Sequence, residues 1–122
     1  MTEIRVTFPT VTGNHYKGFQ FATRRVFVTK AGKMYRLAIK ADLMASQAVR
    51  RYDVPLYVAM TIVPPDRRRR DIDNICKTLF DALTLGGLWE DDKLIKKLDV
   101  MVADPGKPGY VDLVVRPYAD IS

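Results

Sequence analysis

Between residues 66 and 92 the chain gathers charge in an order that chemistry can use. Arg67, Arg68, Arg69 and Arg70 stand in a row and lead directly into Asp71 and Asp73. Lys77 follows Asp73 by four residues, and Asp91 and Asp92 come after the glycine pair Gly86-Gly87. Adjacent guanidinium groups repel one another, so such a run makes sense where it faces an array of phosphates. Asp73, Lys77 and Asp81 recur at the spacing of one helical face. If the glycines fold the chain back, one of Asp91 and Asp92 approaches the Asp71/Asp73 end. Three carboxylates at one point repel strongly, and a hard divalent cation such as Mg²⁺, with oxygen ligands and several retained waters, is the usual remedy. A site of that kind activates water at a scissile phosphate, with Lys77 neutralising charge as it develops.

Each of these residues also has a plainer role open to it. Asp71 or Asp73 suits a helix N-cap. Lys77 suits a solvated pairing with Asp73 or Asp81, and Asp91 and Asp92 suit the start of a turn. Basic runs also occur in disordered tails, but this one is enclosed between a strand and a helix. The carboxylates clustering beside the arginines favour the joint, phosphodiester-directed reading.

The elements that must position these groups follow from periodicity. Residues 3–8 alternate as a strand ended by Pro9, residues 10–20 read as a polar loop, and 24–29 as a second strand turned by Lys30-Ala-Gly-Lys. From about 33 to 52 the period becomes helical, with Met34, Leu37, Ala38, Ala41, Met44, Ala45, Ala48, Val49 and Tyr52 on the apolar face and Lys33, Arg36 and Lys40 opposite. Residues 54–63 form a buried strand bounded by Pro64-Pro65. A second helix spans about 72 to 85, ended by Gly86-Gly87. An apolar-rich segment at 94–103, a turn cluster at 104–109 and a strand at 110–116 complete the order β-β-α-β-α-β-β. The expected fold class is α+β: one small domain, residues 1–122, with a mixed or mostly antiparallel sheet packed with two helices.

Composition narrows the partner. In 122 residues, 20 Lys and Arg against 14 Asp and Glu leave a net charge of +6, which points first to nucleic acid. The hydrophobic share of 48% fits a soluble globular domain. Cys76 is the only cysteine, which excludes a disulfide framework and a cysteine zinc finger. No apolar run is long enough to cross a bilayer and no signal-like segment opens the chain, so an intracellular, reducing location is expected.

The run Asp66-Arg-Arg-Arg-Arg-Asp-Ile-Asp-Asn74, then Lys77, Phe80-Asp-Ala-Leu83 and Gly87-Leu-Trp-Glu-Asp-Asp92 resembles the RusA family of Holliday junction resolvases, found in bacteria and often carried by phages and prophages. The dense match covers residues 65–92. The resemblance implies a homodimeric, Mg²⁺-dependent endodeoxyribonuclease that nicks four-way junction DNA, needs no organic cofactor or membrane, and works in the cytoplasm of a bacterium or phage-infected cell. It assigns metal binding and catalysis to Asp71, Asp73 and Asp92, with Asp91 as a second candidate, and gives Lys77 the role of the essential lysine. The N-terminal loop, Pro9-Thr-Val-Thr-Gly-Asn-His-Tyr, departs from the family pattern with fewer prolines and with Gly13 and His15.

Asn14, His15, Tyr16 and Lys17 in that loop join Arg67–Arg70 as expected DNA contacts; His15 is open to a role as base or as a phosphate contact. Arg24, Arg25, Lys30 and Lys33 either extend the basic surface or are ordinary solvated charge. Phe19 and Phe21 suit either a wedge between unstacked bases or the core. The Met and Ala stripe of the first helix reads as core or dimer seam, and Cys76 as a small packed residue. Two rival functions remain open: a non-catalytic structure-selective DNA-binding protein, and a nuclease of other branched or flap DNA.

Overall fold

Strand alternation sets the architecture. In the computed structural model, which describes residues 1–121 without the side chains of Asn14, Asp120 and Ile121, β1 (Thr2–Thr7) buries Thr2, Ile4 and Val6 and exposes the residues between them. It pairs antiparallel with β6 (Tyr110–Pro117), Ile4 standing opposite Leu113. β6 in turn pairs antiparallel with β4 (Leu56–Val63), and β4 pairs parallel with β5 (Ile95–Val102), giving the order β1-β6-β4-β5. The parallel pair needs a crossover, and α2 (Ile72–Gly86) supplies it. β2 (Lys17–Gln20) and β3 (Arg25–Val28) form a separate antiparallel hairpin. The α+β class and the mixed sheet with two helices are as the sequence indicates.

Leu56, Val58, Met60 and Ile62 of β4 and Val111, Leu113 and Val115 of β6 form one buried sheet face. α1 (Lys30–Ala45) and α2 close it, through Tyr35, Ile39 and Leu43 on one helix and Ile75, Leu79 and Leu83 on the other. Each fully buried aliphatic side chain contributes about 1.5–3 kcal/mol relative to exposure.

Expectations for the N-terminal half need correction. The loop at 10–20 ends in a strand, because Lys17–Gln20 find β3 as a partner. α1 starts three residues earlier than expected: Thr29 caps it, accepting the Gly32 N–H at 3.0 Å. Gly32 reads as a turn residue but serves close packing, since a Cβ there would lie 2.5 Å from the Tyr16 carbonyl oxygen. α1 also stops at Ala45, and of the two readings of its Met and Ala stripe, core or dimer seam, the core one fails: Met34, Leu37, Met44 and, beyond the helix, Val49 are exposed. Two apolar stripes coexist on this helix, and the sheet takes the one through Tyr35, Ile39 and Leu43. Among the described residues no helix is long and apolar enough to cross a membrane.

The glycine stop of α2 behaves as expected. Gly87 lies in the left-handed region at φ 91°, and the Leu88 N–H then donates back to the Leu83 carbonyl at 3.1 Å. This reversal buries Leu88 and Trp89, whose indole N–H donates to Thr84 Oγ1 at 2.6 Å. A Cβ on Gly87 would lie 2.9 Å from Val49 Cγ1. Gly87→Ala is therefore expected to cost about 1–2 kcal/mol from its backbone alone, read as a lower urea midpoint with an unchanged slope.

Candidate functional site

The arginine loop is built around one acid. Asp66 accepts the Arg68 backbone N–H at 2.9 Å and the Arg70 guanidinium at 2.9 Å. The Arg70 hydrogen bond, followed by that of Arg68, holds the Asp66 carboxyl below its usual range. Arg70 also donates to the carbonyls of Asp66 and Arg68 and lies over the Phe8 ring at 5.2 Å. Its charge is thus spent within the protein, which makes it the pin of the loop. Arg67, Arg68 and Arg69 are left exposed, held beside the start of α2.

At that start Asp71 occupies the N-cap position, yet its side chain makes no capping hydrogen bond. Its carboxylate is instead approached by Asn74 Nδ2 at 3.4 Å. Asp73 lies exposed in the first turn, where the helix dipole favours a negative charge. Lys77, one turn on, is exposed and forms no ion pair with Asp73 or Asp81. The surface pairing open to Lys77 from the sequence is therefore not made.

Asp81, next along this line, is tied down from three directions. The Tyr16 hydroxyl donates to Oδ2 in a short hydrogen bond, Arg36 donates to the same oxygen at 2.8 Å, and Lys17 Nζ stands 3.9 Å from Oδ1. Burial pushes the Asp81 carboxyl up, but the bonds from Tyr16 and Arg36 outweigh it and leave the group below its ordinary value. Burial, then the bond to Asp81, pushes the Tyr16 hydroxyl up to about 12. Asn74, Lys77, Thr78 and Asp81 from α2 and Gly13, Tyr16 and Lys17 from the N-terminal segment line a cavity of about 190 Å³.

Among the expected DNA contacts, Tyr16 is corrected to an internal role, since it is buried with its hydroxyl committed to Asp81. His15 and Lys17 are exposed, and the side chain of Asn14 lies outside the described residues. The helical period puts Arg36 on the face opposite the apolar stripe; it instead bridges α1 to Tyr16 and Asp81. Nothing local in the sequence marks it, because both partners are far away along the chain.

The acidic pair beyond α2 keeps its own company. Asp91 accepts the Lys93 backbone N–H at 2.9 Å, which is the main cause holding its carboxyl below the usual range. Burial raises Asp92, and a hydrogen bond with Asp91 and the charges of Asp91 and Asp81 raise it further. Asp92 thus neighbours Asp81, which lies about 12 Å along α2 from Asp73 at 1.5 Å per residue. The expected meeting of three carboxylates is not seen: among the described residues no group of three or more His, Cys, Asp or Glu side chains could hold a metal ion. The carboxylates that raise Asp92 are Asp91 and Asp81, not Asp71 or Asp73. By chemistry the donors still suit a hard cation. Asp73 is exposed, Asp71 caps no backbone N–H, and Mg²⁺ is commonly held by one or two carboxylates together with substrate phosphates and water.

The Tyr16–Asp81–Arg36 cluster generates a stability prediction. Tyr16→Phe is expected to cost about 1.5–3 kcal/mol, the range for a hydrogen bond to a charged group. Because Asp81 is lowered in the folded state, its stabilisation is present above the ordinary carboxyl value of about 3.9 and is lost as pH falls through the folded value. Thermal melts from pH 7 to pH 2 are expected to fall more steeply for the wild type than for Asp81→Asn.

Comparison with known proteins places this geometry in context. A family model described as Endodeoxyribonuclease RusA matches residues 8–112. The chain is 28% identical over 120 residues to a protein named crossover junction endodeoxyribonuclease RusA from Escherichia coli O139:H28, covering 98% of this chain and 99% of that one. It is 29% identical over 115 residues to the protein of that name from Enterobacteria phage 82, and equally so to that from Escherichia coli K12, with 94% of this chain and 95% of the relative covered in each case.

Proposed function

The chain belongs to the RusA endodeoxyribonuclease family, and from that premise we propose that it resolves four-way DNA junctions by paired, Mg²⁺-dependent nicks. The whole of residues 1–122 acts as the endonuclease domain, in the cytoplasm of a bacterium or an infected cell. The observation that carries this reading is charge left unspent. Asp73 and Lys77 stand one helical turn apart without an ion pair between them, beside exposed Arg67 and Arg69 and an exposed Arg68 whose one ion-pair contact, to Asp66, is 3.9 Å long.

In this proposal Arg67 to Arg69 grip the phosphate backbone and seat the branch next to α2. Asp71, Asp73 and Asp92, with Asp91 the alternative to Asp92, are the residues that would hold Mg²⁺, together with substrate phosphates and water. When bound, such an ion acidifies a coordinated water and draws charge from a phosphate oxygen. Water attacks phosphorus in line with the 3′ oxygen, which leaves as its bond to phosphorus breaks. Lys77 is positioned to take up the charge that develops on the phosphate. Resolution needs matched cuts in opposing strands, and a two-fold homodimer supplies them by symmetry.

One observation favours a rival. The lack of a three-carboxylate group among the described residues suits a module that binds junctions without cutting them. A junction-cleavage gel with and without Mg²⁺ separates the two. Asp73→Asn is expected to abolish cutting while leaving junction binding in EDTA intact, and Lys77→Ala to slow cutting by about 10²–10³-fold. A wild type that binds junctions and never cuts them would install the rival. Flap and linear duplex substrates in the same gel test the choice of branch.

Arg67, Arg68 and Arg69 give a separate readout. Each single change to alanine is expected to reduce the slope of log affinity against log salt by about 0.9 if that side chain meets a phosphate. Arg70→Ala is expected to act instead on stability, by releasing Asp66.

A further inference from the structure

The tip of the β2–β3 hairpin carries aromatic surface that the fold does not use. Phe21 is 85% exposed and Phe19 48%, and their rings meet edge to face with centroids 4.9 Å apart. Apolar side chains so placed in a two-stranded hairpin do nothing for the core, and an isolated hairpin is marginal in water.

The base of the same hairpin is held firmly. The Thr29 N–H donates to the Tyr16 carbonyl at 2.9 Å, and Thr29 Oγ1 donates to the carbonyls of His15 and Tyr16 at 2.5 and 3.0 Å. Tyr16 is itself locked to Asp81. Lys17, the first residue of β2, lines the cavity that holds Lys77. A rigid stem therefore starts at the candidate catalytic pocket and ends in bare aromatic rings. Four residues separate Lys17 from Phe21, about 13 Å at 3.3 Å per residue.

The surrounding charge selects the partner. Arg24 and Arg25 flank the tip, both exposed and neither in an ion pair among the described residues. Aromatic rings framed by unpaired guanidinium groups suit nucleobases between phosphates better than an apolar protein surface. We propose that Phe21, backed by Phe19, is a wedge that stacks on an unpaired base where DNA strands separate, with Arg24 and Arg25 on the adjoining phosphates. The wedge sets which point of a branched molecule is presented to Lys77. This inference rests on the DNA-cutting reading above and adds the element that recognises the branch.

The test uses four-way junctions with 2-aminopurine at the branch point, bound in EDTA by the intact protein. Wild type is expected to raise the fluorescence by unstacking the probe. Phe21→Ala and Phe19→Ala/Phe21→Ala are expected to lose that rise and to bind the junction roughly tenfold or more weakly, the scale of one lost base–aromatic stack. Phe21→Trp is expected to retain both. Unchanged melting temperatures show that the variants remain folded. A rise that survives in the double variant, or that is absent in wild type, overturns the wedge. So does a change in molar mass by light scattering, which would make the tip a contact between copies. A wild type that gives the rise but never cuts with Mg²⁺ removes the nuclease reading and leaves the wedge standing. Cutting by a wild type whose variants fluoresce like it does the reverse.

Discussion

The organisation of the site depends on one partly buried carboxylate and the donors around it. Asp81 lies on α2, Tyr16 at the end of the N-terminal loop, and Arg36 on α1, so three segments distant in sequence meet at one carboxylate oxygen. Removing water from a carboxylate is costly unless hydrogen bonds replace it. Here the replacement comes from a phenol and a guanidinium that themselves hydrogen-bond at 2.8 Å. The cluster aligns the loop with the helix that carries Asp73 and Lys77, and it also holds the root of the hairpin. Without it the 190 Å³ cavity loses one wall.

Two acidic groups on this protein meet different electrostatic conditions. Asp71 and Asp73 sit at the start of α2, where backbone N–H groups lack carbonyl partners. Burial, then the hydrogen bond with Asp91, pushes Asp92 up. Asp91 beside it is held down by the Lys93 backbone N–H, so two adjacent carboxyls are driven in opposite directions. The arginine loop is arranged by the same economy, with Arg70 neutralised internally so that its three neighbours keep an ordered backbone and exposed charge.

Much of the fold was legible because it is written locally. The strand alternation of Ile4, Val6 and Phe8, the span of α2 and its glycine stop all follow from near-neighbour spacing, and so does the line Asp73–Lys77–Asp81. Local patterns failed where two answers shared one period. Met34, Leu37 and Met44 recur as helically as Tyr35, Ile39 and Leu43, and only the sheet decides between them. Arg36 and Tyr16 were misplaced for a related reason, since their partner Asp81 is 45 and 65 residues away. The relation of Asp92 to Asp73 was equally beyond spacing rules. It is set by the length of α2 and the point at which the chain re-enters the sheet. The site's chemistry was therefore readable as a set of residue types, and its geometry was not.

The strand order carries a consequence for the birth of the protein. β1 has a single neighbour in the sheet, β6, and that neighbour is the sixth strand in chain order. During synthesis β1 therefore emerges well before the strand carrying Val111 and Leu113, with which it pairs. β4, α2 and β5 are contiguous in the chain, so their pairing closes a much shorter loop than that of β1 with β6. Pairing as remote in sequence as the latter is the kind of contact that slows folding.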